Sequence, residues 1–427
     1  MAHFTDGCGA SRRGVEESKT PTPDSKMSRL PRLVTSCLLL GFLPVVLVRG
    51  EASMKTLPFA RAEFVVPPGV VIPHTHDRVF IGPGTTQLPN GDILMLAPWG
   101  SAPAKFEELR GKYPLPHFYR STDHGRTWHE EGRIAMDWDI GGTTNNGGFG
   151  FLRLQDGRLA LAGHRYVGDN KGGGLPFISF SSDNGVTWTP AQLVGAGVTP
   201  EEPWYVMNDR LIQLRNGRLL FPACRAVRHS GPEGDLGEAG CFYSDDAGAT
   251  WKVSQLVLPK GALRGMAEPC VAELPNGHIL MLARSGTGYL VDSWSEDAGV
   301  TWSPPQNTAL LSPCTSLTLK TLPDHRLIVF YNHVKEESPG SLFPRCPLTY
   351  AVSVDGKTWS PPVIVDDEGW DPVRPTRENI YPSICFLDEG MLVMWSTHFS
   401  TSGLTRRTLE ENTVGGGKRA ILKYPAK

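Results

Sequence analysis

At 427 residues the chain is long for one compact core, so it holds either two ordinary domains or one repetitive architecture. Its formal net charge of −2 gives no footprint for nucleic acid or for an acidic membrane surface as partner. The 47 glycines and 36 prolines fit a chain of many tight turns.

The N-terminus reads as an export signal. Arg29 and Arg32 precede the apolar run LVTSCLLLGFLPVVLV, which is too short and too proline-interrupted for a membrane span. Small residues in RGEAS place cleavage near Ala52, so residues 1–52 form an extension plus leader and 53–427 the mature domain. A conventional signal begins at Met27. The expected location is secreted or periplasmic, with no stable membrane span after removal of the leader. Six cysteines then remain in an oxidising compartment: Cys224, Cys241, Cys270, Cys314, Cys346 and Cys385. None has CxxC spacing, so neither a metal site nor another cofactor is expected. Cys224 and Cys241, which flank one hairpin connection, are the best candidates for a disulfide.

Two motifs then alternate along the chain. One is a leucine, a turn and an apolar run: LPNGDILML at Leu88, LQDGRLALA at Leu154, LRNGRLLFP at Leu214, LPNGHILML at Leu274, LPDHRLIVF at Leu322 and LDEGMLVMW at Leu387. The other is an octet: STDHGRTW at Ser121, SSDNGVTW at Ser181, SDDAGATW at Ser244, SEDAGVTW at Ser295 and a shortened SVDGKTW at Ser353. Asn-Gly or Asp-Gly between apolar runs is a strong hairpin signal, and the octet is a second hairpin turn. Two hairpins per repeat make a four-stranded antiparallel meander. The expected fold is therefore all-β, a six-bladed β-propeller of four-stranded blades. The sixth blade has no octet, so the N-terminal RAEFVVPP or the C-terminal RAILKYP should complete it. Within the octet, the Asp side chain bonds backbone N–H groups of its own turn, Gly takes the positive φ and Thr-Trp packs the turn down.

The octet Ser-x-Asp-x-Gly-x-Thr-Trp resembles the Asp-box, or BNR repeat, of the sialidase superfamily. The resemblance covers roughly residues 60 to 427 and implies the propeller fold. Asp-boxes also occur in proteins without sialidase activity, so chemistry has to be sought elsewhere.

In an up-and-down blade both turns lie on one face. The start of the innermost strand, the end of the second and the start of the third lie on the other, around the channel. Nine residues before each turn residue stand Gly82, Gly148, Asn208, Glu268, Ser316 and Tyr381; seven after it stand Pro98, His164, Cys224, Arg284, Asn332 and Thr397. Arg345 begins the third strand of the fifth blade. Arg284 and Arg345 can clamp a sugar carboxylate through charge-assisted hydrogen bonds. A sugar with its carboxylate on the anomeric carbon repels an Asp or Glu nucleophile, whereas a neutral phenol with a base beside it does not. Tyr381 as nucleophile and Glu268 as its base meet that requirement, with the phenol expected within hydrogen-bond reach of Glu268.

The same segments resemble those of sialidases. EPCVAELPNGHILMLAR is similar to the stretch holding the base glutamate and the second arginine of a carboxylate-binding triad, and IYPSICF to the nucleophile segment. Arg345 before LTYAVSVDGKTW resembles the third arginine. The first arginine of the family pattern falls on Ile81; Arg78 or Arg210 is the expected replacement, with Asn208 and His164 as further substrate-binding residues. The acid/base aspartate is also missing, leaving Glu107, Glu108, His74, His76, His117 and His164 as candidate acids. The resemblance implies an exported exo-α-sialidase type of hydrolase acting on sialylated glycans. The alternatives are a lyase or hydrolase of uronate-containing glycans and a non-catalytic glycan-binding propeller.

Overall fold

A computed structural model describes residues 57–427 except 75–77, 98, 102–116, 134–145, 167–173, 196–203, 228–235, 262, 338–340, 373–374 and 400–414. The chain divides into two compact units, Met1–Ser53 and Met54–Lys427. The first, with the expected leader, lies outside the described residues. In the second, all regular structure among the described residues is β-strand, so the fold is all-β.

Strands follow one another up and down. The first run is Gly84–Gln87, Ile93–Ala97, His117–Ser121 and His129–Arg133. The next two runs share a nine-stranded sheet. Asn146–Arg153, Leu159–Tyr166, Gly174–Ser181 and Gln192–Leu193 form one part, and Leu219–Val227, Leu236–Ser244 and Lys252–Val253 lie in the other. In the second part Trp204–Tyr205 and Ile212–Gln213 both pair with Leu219–Val227, and a bridge from Gly174 to Trp204 joins the two. Met266–Glu273, Ile279–Ser285, Tyr289–Ser295 and Gln306–Leu311 follow. Thr318–Thr321, Leu327–Tyr331, Leu348–Ser353 and Val363–Asp366 come next, with Ala60–Arg61 added in parallel at the edge. The last run is Arg377–Leu387, Gly390–Phe399 and Gly416–Leu422, and Phe64–Pro73 pairs onto its outer side. Both terminal segments expected at this sheet therefore belong to it, the C-terminal one inside the N-terminal one.

The second strand of each run is buried along nearly its whole length, because sheets cover both of its faces. Ile93–Ala97 and Leu327–Tyr331 are apolar without alternation for this reason. Apolar clusters fill the space between successive sheets; in one, Ile93, Met95 and Tyr119 of the first run pack with Leu392, Met394 and Ile421 of the last. Truncating one such side chain, for example Leu392→Ala, costs about 2–5 kcal/mol.

The octets behave as turn devices. In the second run, Asp183 Oδ1 accepts the Thr187 N–H at 2.8 Å, its Oδ2 accepts the Thr187 hydroxyl at 2.5 Å, and Ser181 Oγ accepts the Gly185 N–H at 2.8 Å. The same bonds recur around Asp123, Asp246 and Asp297.

The expected disulfide is not formed: all six described cysteines are free and buried. Strand register is the reason. Cys241 lies opposite Pro222 and Cys224 opposite Ala239, so the two cysteines stand two residues out of step.

Candidate active site

Four of the six runs have a backbone irregularity at the position nine residues before the first turn. Gly82 (φ 51°), Gly148 (φ 63°), Glu268 (φ 50°) and Tyr381 (φ 54°) all have left-handed backbone. The ladder slips at three of these places, between Ala162 and His164, between Ala267 and Cys270 and between Ile380 and Ser383. A bulge of this kind re-aims one side chain out of the strand. Glycine adopts the conformation freely, whereas Glu and Tyr hold it at a cost of about 1–3 kcal/mol each. Three of the four precede proline (Pro83, Pro269, Pro382), which itself disfavours helical backbone in the residue before it. Two of the four runs thus keep a strained, chemically useful side chain where the other two place glycine.

Glu268 meets Arg284 across the slipped ladder. Arg284 pairs with Ala267, and its Nη2 lies 2.9 Å from Glu268 Oε1 as an ion pair. Glu268 is 6% exposed, and its other oxygen, Oε2, has no hydrogen-bond partner among the described residues. Burial disfavours the Arg284 cation, but Glu268, and then Cys314, Tyr381 and Cys224, outweigh it and hold the guanidinium pKa above its ordinary value. The Tyr381 phenol is pushed up, first by burial and then by the Glu268 carboxylate, against the opposing pull of Arg284, Arg345 and Arg210. These five groups therefore share one electrostatic environment. The direct hydrogen bond expected between the phenol and Glu268 is not made: Oε1 binds Arg284 and Oε2 binds no described residue.

Arg345 is held by its own loop and by Glu378. Its Nε donates to the Leu342 carbonyl at 2.9 Å, its guanidinium lies 5.3 Å from the centre of the Phe343 ring, and Nη1 stands 3.6 Å from Glu378. Arg210 is placed differently from a substrate clamp. It is 2% exposed, with Nη1 donating to the Asn208 carbonyl at 2.8 Å and Nη2 to the Leu317 carbonyl at 2.7 Å, so it braces backbone. Asn208 is fully buried and donates through Nδ2 to the carbonyls of Pro83, Tyr381 and Pro382. His164 receives no charge at neutral pH, because burial pushes its pKa down to about 4 against the opposing pull of the Val206 carbonyl, which its Nδ1 contacts at 2.8 Å. Two glycines leave room for this ring: a Cβ on Gly174 would come within 2.5 Å of it and one on Gly148 within 3.0 Å.

Arg78 starts the short strand Arg78–Phe80, paired with Trp99–Ser101; its side chain lies outside the described part. Glu107, Glu108 and His76 lie outside the described residues. His74 is buried 5.0 Å from the ring of His398, and His117 contacts Glu130. Glu378, the acid beside Arg345, had not been anticipated. Its signal was its place three residues before Tyr381 on the same innermost strand.

The BNR repeat-like domain model matches residues 167–394, and the BNR/Asp-box repeat model matches residues 119–130. A sialidase of Micromonospora viridifaciens is 26% identical over 384 residues, covering 79% of this chain and 55% of that protein. The chain thus spans about half the length of this curated relative. Among solved structures, a Dyadobacter fermentans protein of unknown function superposes with a TM-score of 0.62 at 20% identity, covering 86% of this chain and 100% of that one. A Hadza microbial sialidase superposes with a TM-score of 0.55 at 20% identity, covering 81% and 66%. With the Asp-box turns, these matches place the chain in the BNR repeat-like domain family, among the Asp-box proteins of the sialidase superfamily.

Proposed function

We propose that the six runs are the blades of one six-bladed β-propeller and that the protein is an exported glycoside hydrolase of exo-α-sialidase type. The packing of the last run against the first supports the propeller, as does the Ser383 hydroxyl accepting the Thr85 N–H at 3.0 Å. The similarity to sialidases supports the reaction class. One observation carries the catalytic reading: Glu268 and Tyr381 hold the same strained left-handed conformation, with Arg284 beside them.

In this reading Arg284 and Arg345 bind the carboxylate of a terminal acidic sugar. Tyr381 Oη forms a bond to the anomeric carbon as the bond to the leaving oxygen breaks, and the phenol proton passes to Glu268. The unpartnered Glu268 Oε2 is the acceptor, reached on substrate binding or through one water. Burial holds the phenol neutral at pH 7, so the base is required. Water then hydrolyses the glycosyl–tyrosine, passing its proton to the carboxylate that had protonated the leaving group, and Glu268 returns its proton to the Tyr381 oxygen. The leaving-group proton falls to Glu107 or Glu108, which follow the second strand of the first run in sequence.

Ile81 at the place of the first triad arginine favours a second reading, in which the acidic sugar is a uronate. Turnover of a fluorogenic α-sialoside by the purified protein tests the first reading. Release of an unsaturated, UV-absorbing product from a uronate glycan, with no turnover of the sialoside, replaces it with the second.

A further inference from the structure

Tyr381 and Pro382 fall in the gap of the sheet ladder between Ile380 and Ser383, so neither has a pairing partner on the neighbouring strand. The Tyr381 N–H and C=O are nevertheless both taken, by side chains of other runs. Ser316 Oγ, 3% exposed at the start of the fifth run, accepts the Tyr381 N–H at 3.0 Å. Asn208 Nδ2, fully buried in the third run, donates to the Tyr381 carbonyl at 3.1 Å and to the Pro382 carbonyl at 3.3 Å. Thr318 Oγ1 donates to the Pro382 carbonyl at 2.6 Å as well. Arg210 stands behind both donors, with Nη1 reaching the Asn208 carbonyl at 2.8 Å and Thr318 Oγ1 at 3.3 Å.

The arrangement is not a generic strand contact. At Gly82, the glycine counterpart of Tyr381, the N–H goes to the Ser396 hydroxyl at 2.9 Å, again a side chain from the preceding run. At Glu268 the N–H acts on the Cys224 sulfur, also from the preceding run, and draws the thiol's pKa down against the larger upward push of burial. Gly82, Glu268 and Tyr381 thus each meet, through the N–H, a small side chain of the preceding run. Among the described residues, Tyr381 is the one of these three whose own carbonyl is also taken by a side chain.

We propose that Ser316 and Asn208 are positioning residues that clamp the backbone of Tyr381 in its left-handed conformation and so aim the phenol at the substrate. The inference rests on the proposed role of Tyr381. Without the clamp, an L-residue before proline relaxes toward extended backbone, and the phenol swings away from Glu268. Asn208, expected above as a substrate-binding residue, is fully buried and Ser316 nearly so, and both side chains are spent on this backbone. Their removal should therefore slow the chemical step more than it weakens binding.

The test compares wild type with Ser316→Ala, Ser316→Thr and Asn208→Asp, by kinetics on a fluorogenic α-sialoside and by crystallography of the free proteins. Ser316→Ala should lower kcat about tenfold, the kinetic equivalent of one hydrogen bond, with KM changed by less than about twofold. Ser316→Thr, which keeps the hydroxyl, should restore kcat. In the Ser316→Ala crystal Tyr381 should leave positive φ. Unchanged kcat, a loss confined to KM, or retention of positive φ at Tyr381 in Ser316→Ala overturns the clamp. Asn208→Asp places a carboxylate against three carbonyls and should lower kcat further; if it does not fold, Ser316→Ala decides the matter alone. Absence of sialoside turnover by wild type counts against the proposed function only, and the φ of Tyr381 in the Ser316→Ala crystal then decides the clamp.

Discussion

Arg284 and Glu268 form a buried ion pair, Nη2 to Oε1 at 2.9 Å, built on two neighbouring strands whose ladder slips beside it. The side chains are 17% and 7% exposed, so neither charge is fully hydrated. Removing one partner leaves the other as a buried, uncompensated charge. Arg284→Ala should therefore destabilise the fold by about 3–5 kcal/mol as well as weaken substrate binding. Chemical denaturation checks the first effect. A stability loss under about 1 kcal/mol would show that Glu268 is hydrated without Arg284.

Tyr381→Phe deletes one oxygen and keeps the ring. Turnover should fall at least a hundredfold, while binding of an acidic-sugar inhibitor changes little, because the guanidinium groups remain. Calorimetric titration of the inhibitor into the variant checks the separation. Equal loss of binding and turnover would make the phenol a binding group.

The Asp-box turns serve the fold. Asp297 accepts the N–H groups of Val300 and Thr301 and the hydroxyls of Ser295 and Thr301. Asp297→Ala should cost about 1–3 kcal/mol of stability and leave the kcat of the folded protein intact. Denaturation and kinetics on the same preparation check this; loss of kcat at unchanged stability would refute it.

Two groups of titrations set the acid limit of the fold. The Thr250 hydroxyl and N–H hold the Asp246 carboxyl down to about 2 from 3.8, and the Thr187 groups do the same for Asp183. A folded pKa below the unfolded one means that this stability is present above 3.8 and disappears as pH falls toward about 2. His164 acts in a higher window. Its folded value of about 4 lies below the unfolded 6.5, so the unfolded chain takes up a proton first and stability falls as pH drops between them. His164→Gln should flatten the stability slope between pH 6.5 and about 4 without moving the lower limb. Denaturation midpoints at a series of pH values check both windows.

Turn chemistry carried most of the legible fold. Each Asn-Gly or Asp-Gly turn announced its pair of strands, and the apolar runs after them became fully buried second strands. Counting from those turns also brought Glu268, Arg284 and Tyr381 into one electrostatic environment. A further signal stood at the same positions: Gly82-Pro83, Glu268-Pro269 and Tyr381-Pro382 put proline after three of the four left-handed residues. The braces were not legible. Arg210 reaches Leu317, and Asn208 reaches Tyr381, across separations of 107 and 173 residues, and no local pattern encodes such contacts. Arg210, expected with Arg78 as a replacement for the first triad arginine, donates to backbone carbonyls. The Cys224–Cys241 pairing failed for a related reason: a shared hairpin says nothing about a two-residue register offset.

The most direct test of the account is the identity of the nucleophile. The purified protein is incubated with a fluorinated acidic-sugar probe that stalls glycosyl transfer, digested at low pH and sequenced by mass spectrometry. The account predicts one added sugar, covalently bound to Tyr381 in the peptide containing IYPSICF, and none on Tyr381→Phe. A label on Glu268 or any other residue, or no label on an enzyme that turns over the parent sugar, would contradict it.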